Sequence, residues 1–339
     1  MRIKLLIATC ETDYAQHLSN HLSKHYADSI IVCMCRSQEC LKAALKSQKF
    51  DVALFENGMF ENEDISLVSL PLMLITEDKR QIVEEESKVI IKYQRISSIV
   101  AEIMAKCAKI SKYIRGISAI RANITAVWSP AGGVGKTTVA LSYAAKKVSE
   151  GKQVLYLNLE SFSSVPAYFS ETGRSISAVF EMLGDGEGNI KMLIRGICQQ
   201  DSGVGVAYFC RPENFDDMYA LSAENIAELT SVCASVTEEL VIDMSCVCDW
   251  RARKVFEHAD KILLVSDTTA TAKVKLSQFL SQHNVFESIK EKVVFIGNKG
   301  ALIAKQTSGT IINLPFVKAS DPKAVYKTLS GSLDSVDMS

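Results

Sequence analysis

The chain of 339 residues has no apolar run approaching the roughly 18 to 20 residues that cross a bilayer. Its opening, Met1-Arg-Ile-Lys-Leu-Leu-Ile-Ala, lacks the organisation of a signal peptide and reads as a first strand. Together these absences lead us to expect a cytoplasmic protein without a membrane span. An excess of one charge is lacking too: 38 Lys and Arg against 39 Asp and Glu give a net charge of −1. That balance argues against a stable nucleic-acid surface and leaves room only for a local patch. Ten cysteines are spread without the density of a disulfide scaffold, so reduced thiols are expected. Cys33 with Cys35 and Cys246 with Cys248 are Cys-x-Cys pairs in strand-like segments. No second half of a zinc site accompanies either, which predicts buried free thiols. Residues 330–339 carry no apolar stripe, so no amphipathic membrane helix is expected there.

With 47% hydrophobic residues the chain can bury two cores. One stretch organises the rest: Ser129-Pro130-Ala131-Gly132-Gly133-Val134-Gly135-Lys136-Thr137-Thr138. It follows the apolar run 124–128 and leads into 139–145, which reads as a helix. Strand, glycine-rich loop and helix form the context of a phosphate-binding loop. Gly132, Gly133 and Gly135 let the backbone fold tightly, so the N–H groups of Gly132, Gly133, Val134, Gly135, Lys136, Thr137 and Thr138 can aim inward. The dipole of the following helix adds positive potential where a triphosphate would sit. Lys136 then reaches the terminal phosphates and the Thr137 hydroxyl takes Mg²⁺. Pro130 stands where the general motif has its first glycine, fixing φ and removing one N–H.

Downstream, Glu239-Leu240-Val241-Ile242-Asp243 is an apolar strand ending in aspartate, the Walker B pattern, with Asp243 placed to hold a Mg²⁺-bound water or the Thr137 hydroxyl. A strand over 153–157 ends in Asn158-Leu159-Glu160. Helices over 176–183 and 190–198, a strand over 204–210, a helix over 225–235 and strands over 262–265 and 293–296 follow, the last ending in Gly297-Asn298-Lys299.

The first hundred residues alternate strands at 3–8, 30–35, 51–55, 72–76 and 89–91 with helices at 13–26, 38–47 and 97–109. Such alternation implies a parallel sheet covered on both faces. His17, His21 and His25 share one face of the first helix, a spacing that suits chelation, but no carboxylate or cysteine accompanies them and a polar face is the simpler reading. Residues 108–123 are polar and basic, with Lys109, Lys112, Arg115 and Arg121. They read as a helix end running into a linker, or as a short contact for nucleic acid or acidic lipid. The expected fold class is α/β: two doubly wound domains, 1–109 and 123–339, joined by the linker 110–122.

Residues 1–109 resemble a response-regulator receiver of flavodoxin-like type. A receiver has acidic residues after its first strand, a phosphoacceptor aspartate after its third, Thr or Ser after its fourth and lysine after its fifth. Thr76 and Lys92 match the last two, whereas the acidic pair falls on Thr9 and Cys10, with Glu11 just beyond, and the acceptor falls on Glu56. The resemblance thus implies a pseudo-receiver that is not phosphorylated and serves as an interaction or dimerisation module.

Residues 123–339 resemble the MinD/ParA family, whose deviant Walker A motif is matched by Gly-Gly-Val-Gly-Lys-Thr-Thr. That resemblance implies ATP as the nucleotide. The family's signature lysine, which reaches a dimer partner's nucleotide, falls on Ala131, and Arg211 is a candidate replacement. The family's Asp-x-Asp falls on Asn158 and Glu160. Its second aspartate positions the attacking water, so the resemblance gives that role to Glu160 with an extra methylene, the plain alternative being a solvated strand end. Adenine recognition is implied for Asn298, whose amide offers donor and acceptor, against an ordinary turn asparagine, and Pro315 is placed near the base.

The domain order and the altered residues together resemble the TadZ/CpaE family, which helps to place Flp (Tad) pilus assembly machinery at the cell pole. The resemblance implies a cytoplasmic scaffold that binds ATP and Mg²⁺, forms a homodimer and recruits pilus partners such as a secretion ATPase. Lys136, Glu160 and Asp243 are the candidates for any catalysis, and Thr137 with Asp243 for the metal. A cation supplied in trans is worth roughly 10³ to 10⁵ in phosphoryl-transfer rate, so its loss implies slow or negligible hydrolysis, at most a weak ATPase. Three competing readings stand: a ParA-like DNA- or cargo-positioning ATPase, a receiver-controlled transcriptional activator without its helix-turn-helix, and a metabolic P-loop enzyme that needs a second substrate pocket.

Overall fold

The computed structural model describes residues 3–27, 30–56, 58–59, 67–77, 88–108, 122–185, 189–302, 309–319, 321–333 and 336. The chain divides into two compact units, residues 1–118 and 119–339, each with its own sheet. Apart from Ala122, the expected linker 110–122 lies outside the described residues. Ala122 is buried and its N–H donates to the Ala234 carbonyl, inside the larger unit.

In the smaller unit the strands are β1 (Ile3–Ala8), β2 (Ile30–Cys35), β3 (Phe50–Phe55), β4 (Val68–Ile75) and β5 (Val89–Ile91), with helices at Thr12–His25, Gln38–Ser47 and Ile96–Ala108. Every pairing is parallel and the order is β2-β1-β3-β4-β5, one of the common doubly wound orders. The near-continuous apolar sequence of β1 and β3 follows from burial on both faces.

The larger unit holds β6 (Asn123–Trp128), β7 (Val154–Leu159), β8 (Gln199–Gln200), β9 (Ala207–Tyr208), β10 (Glu239–Met244), β11 (Lys261–Ser266), β12 (Val293–Gly297) and β13 (Thr310–Asn313). Their order is β13-β12-β11-β6-β10-β7-β9-β8, parallel except for the β8–β9 pair. From β6 the chain crosses toward β7, whereas from β11 it crosses the opposite way toward β12. Reversal of this kind opens a crevice beyond the carboxyl ends of the two strands, where α/β sheets bind ligands. Register decides what meets there: Asp243 is level with Val127 of β6 and with Asn158 of β7. Three strand ends therefore stop beside one another, on a core in which Trp128 packs against Phe256 and Phe279.

Two sequence expectations change. The strand foreseen over 204–210 shortens to Ala207–Tyr208, because Asp201 draws the preceding residues into a turn, accepting from the N–H groups of Gly203 and Val204 while Gly205 turns with φ +90°. The Cys246 and Cys248 pair lies beyond β10 in a loop, with Cys246 exposed and Cys248 half-buried, so it is not a buried strand pair. In the other pair Cys35 is buried, Cys33 is half-buried, and all ten thiols are free.

Candidate functional site

The loop after β6 is built by local sequence. The Ser129 hydroxyl accepts from the N–H of Ala131, Gly133 and Gly135 adopt φ of +75° and +89°, and the helix Lys136–Ser149 begins directly after Gly135. Left-handed backbone at two positions is what an L side chain resists and glycine permits. Gly132 and Gly133 are exposed, while Lys136 is 7% exposed. Ala131 is buried in the core cluster under the loop.

Opposite the loop lies a connected polar group. Asp243 is fully buried and its Oδ2 accepts from the Tyr156 hydroxyl at 2.8 Å and from Asn158 Nδ2 at 3.1 Å. Asn158 Nδ2 also lies 3.3 Å from Glu160 Oε2, which accepts from the Ser164 hydroxyl at 3.2 Å. Ser164 Oγ is 3.4 Å from Thr137 Oγ1, which closes the chain of contacts back to the loop. Burial, with the Glu160 charge adding to it, pushes the Asp243 carboxyl up to about 7, against the opposing pull of Thr137, Tyr156 and Lys136. Burial and the Asp243 charge together hold the Tyr156 phenol far above its ordinary value, so it remains a neutral donor.

One atom is left over. Asp243 Oδ1 is buried and makes no hydrogen bond with the described residues, and an unpaired carboxylate oxygen at this depth is costly. A hard cation would satisfy it. Among the described residues no three His, Cys, Asp or Glu side chains gather to hold a metal alone. The donor set fits Mg²⁺, which keeps several waters and takes phosphate oxygens beside one or two protein oxygens. Thr137 and Asp243 are the protein oxygens available.

Asn298 and Pro315 lie on the other flank. Asn298 is buried, and its Nδ2 donates to the Val134 carbonyl at 2.9 Å. Pro315 is exposed in a segment stitched to the Asn298 turn by the bonds Leu314 N–H to Gly297 O and Gly300 N–H to Leu314 O. Arg211 pairs with Glu171 at 3.0 Å. A cleft of about 380 Å³ opens beside the loop, and its lining includes Gly132, Gly133, Lys136, Glu160, Phe162, Tyr219, Cys246 and Val247. Phe162, 83% exposed, stacks on Phe215 at its mouth.

The larger unit has the fold of a ParA family ATPase. A ParA family ATPase from Chlorobium tepidum TLS superposes with a TM-score of 0.50 at 19% identity, over 64% of this chain and 93% of that one. The septum site-determining protein MinD from Pyrococcus horikoshii OT3, complexed with Mg-ADP, gives 0.49 at 13% identity over 64% and 97%. Cobyrinic acid a,c-diamide synthase from Mycobacterium smegmatis, with bound ATP analogue and magnesium, gives 0.48 at 17% identity over 64% and 96%. No protein-family model and no curated protein matches the chain. Among the described residues no helix is long and apolar enough to cross a membrane.

In the smaller unit three distant residues meet at the strand ends. The buried Lys92 ammonium lies 2.6 Å from Glu11 Oε1 and also pairs with Glu56, and the Tyr93 hydroxyl donates to Glu11. Lys92 and the Tyr93 hydroxyl together hold the Glu11 carboxyl below its usual range. Thr9 is buried and accepts from the Glu11 N–H, Cys10 is exposed, and Thr76 is half-buried. His17 is exposed and His21 half-buried; the His25 side chain lies outside the described residues.

Sequence reading missed Tyr156, Ser164 and Lys299. Tyr156 was detectable in principle: a polar residue two positions before Asn158 shares its face of the strand.

Proposed function

We propose that this chain is a MinD/ParA-type positioning ATPase in which ATP with Mg²⁺ acts as a long-lived ligand joining two copies of the chain. The observation that carries the reading is the buried Asp243 Oδ1 without a hydrogen-bond partner, in a polar group whose contacts continue through Asn158, Glu160 and Ser164 to Thr137 of the glycine loop. Lys136 and the loop amides bind the phosphates, while Thr137 and Asp243 hold the cation. Bound Mg²⁺ supplies charge neutralisation for the β- and γ-phosphates. Tyr156 and Asn158 keep Asp243 Oδ2 turned away, so Oδ1 is the oxygen presented.

Two features favour slow or negligible hydrolysis. Glu160 Oε2, the group available to orient water, is already engaged by Asn158 and Ser164. Ala131 brings no cation to a partner's nucleotide, and Arg211 pairs with Glu171 at the surface of its own chain. The large exposed apolar side chains that line the cleft, Phe162, Tyr219 and Val247, suit burial by a second copy once nucleotide is bound.

Within this reading we assign the chain to TadZ/CpaE-like scaffolds that place Flp/Tad pilus machinery, including a secretion ATPase, at the cell pole. Residues 1–109 then act as a pseudo-receiver; the β2-β1-β3-β4-β5 order and the Lys92 ammonium set between Glu11 and Glu56, where a receiver gathers carboxylates for metal, support this. The ParA-like alternative, positioning DNA or another cargo, differs in requiring salt-sensitive, ATP-dependent DNA binding. Light scattering with and without ATP and Mg²⁺, repeated on Lys136→Ala, tests the core of the proposal. A dimer only with nucleotide, lost in the variant, is expected. A dimer without nucleotide that persists in Lys136→Ala overturns it, as does a turnover on the order of one per second.

A further inference from the structure

The turn that ends β12 is made to an unusual specification. Gly297 has no room for a side chain, since a Cβ there would meet Ala301 O at 2.3 Å and Asn313 Oδ1 at 2.5 Å. Lys299 adopts φ +54° and Gly300 φ +75°, two left-handed residues in succession, one of them not glycine. A non-glycine residue in that region persists only where its surroundings hold it there. The turn around Lys299 and Gly300 is closed by the Ala301 N–H donating to the Asn298 carbonyl, and the Lys299 ammonium reaches back to the loop, donating to the Gly133 carbonyl at 2.6 Å and lying 3.3 Å from Asp267 Oδ2. Asp267 is 5% exposed, and its other oxygen accepts from the N–H and hydroxyl of Thr269. The neighbouring Asn298 donates to the next carbonyl along, that of Val134. Gly135 completes the fit, because a Cβ there would lie 2.4 Å from Asn298 Nδ2.

Two consecutive side chains from one strand end thus grip two consecutive carbonyls of the phosphate loop. A peptide whose C=O is held on the outside turns the following N–H the other way. Holding the carbonyls of Gly133 and Val134 outward therefore fixes the N–H groups of Val134 and Gly135 toward the anion before any ligand arrives.

We propose that Asn298 and Lys299 form a clamp that pre-sets the phosphate loop, with Lys299 a positioning residue anchored by Asp267. The proposal rests on the nucleotide reading above and deepens it: the turn expected to read the base serves the triphosphate as well. Adenine recognition alone would make Asn298 matter only for ligands that carry a base.

Calorimetry with ATP·Mg²⁺ and, separately, inorganic tripolyphosphate·Mg²⁺ distinguishes the two roles in wild type, Asn298→Ala, Lys299→Met and Lys299→Arg. Loss of one such hydrogen bond weakens binding about tenfold. The clamp predicts that loss for both ligands in Asn298→Ala and Lys299→Met, with most of it recovered in Lys299→Arg. Tripolyphosphate affinity equal to wild type in both variants, whatever happens to ATP, overturns the clamp. Amide hydrogen exchange at residues 133–136 without ligand gives an independent readout. Faster exchange in Lys299→Met is expected and unchanged exchange counts against the clamp. If wild type binds neither ligand the nucleotide reading fails, and the exchange rates still decide whether the turn holds the loop.

Discussion

Asp243→Asn should stabilise the ligand-free protein while destroying its capacity for Mg²⁺-nucleotide. Burial disfavours the charged form of Asp243 and lifts its carboxyl from 3.8 to about 7. At about 1.4 kcal/mol per pH unit that gap amounts to roughly 4 kcal/mol, an upper bound for one group. The direction is fixed by proton counting: between pH 4 and 7 the folded chain holds a proton on Asp243 that the unfolded chain has released, so stability falls as pH rises through that window and is flat above it. Asparagine carries no charge to desolvate and can keep its carbonyl where Oδ2 accepts from Tyr156 and Asn158. Its advantage should be absent near pH 4, grow toward pH 7 and level off at up to about 4 kcal/mol. Both tryptophans, Trp128 and Trp250, lie in the larger unit, so urea unfolding followed by fluorescence reports the unit that carries the site. With Mg²⁺ and nucleotide at a hundred times the dissociation constant, wild type should gain about 2.7 kcal/mol and the variant nothing. A variant that is no more stable than wild type at pH 8 would refute the assignment of a strained, metal-ready carboxylate.

Asn158→Asp removes the amide donor shared by Asp243 and Glu160 and adds a third carboxylate. A loss of about 2 kcal/mol at pH 8 without metal is expected from urea unfolding, shrinking when Mg²⁺ and nucleotide are added; unchanged stability would count against the network. Cys246 lines the cleft and is exposed, so its maleimide labelling, followed by peptide mass mapping, should slow when ATP and Mg²⁺ are bound, with Cys10 and Cys40 as exposed controls elsewhere. With Lys92 set between Glu11 and Glu56, incubation with acetyl phosphate and Mg²⁺ should add no phosphoryl mass to the protein, and a phosphorylated product would contradict the reading of the smaller unit.

Much of the site was legible because its central part is local. Strand, glycine loop, Lys136 and Thr137 occupy fifteen consecutive positions from Ile124 to Thr138, so the motif is readable from the local sequence. Asp243 was legible for a related reason, as the polar end of an apolar strand. The rest depends on register and turn geometry, which composition does not display. Tyr156 reaches Asp243 only because β7 and β10 align Asn158 with Asp243. Lys299 carries no signal of its own in the sequence, and it is a left-handed backbone at the end of β12 that aims it at Gly133. The strand over 204–210 was overestimated because Asp201 captures the N–H groups of Gly203 and Val204 in a turn at its expected start. The cleft beside the loop has no signature in sequence, since its lining is drawn from several separate segments spread between Gly132 and Val255.

The central claim is a triphosphate held by the loop together with a cation on Thr137 and Asp243, and isothermal titration of ATP into the full chain tests it most directly. Saturable heat at one site per chain with Mg²⁺ present, lost in Lys136→Ala, is the predicted result; no heat in wild type at any nucleotide concentration would contradict it.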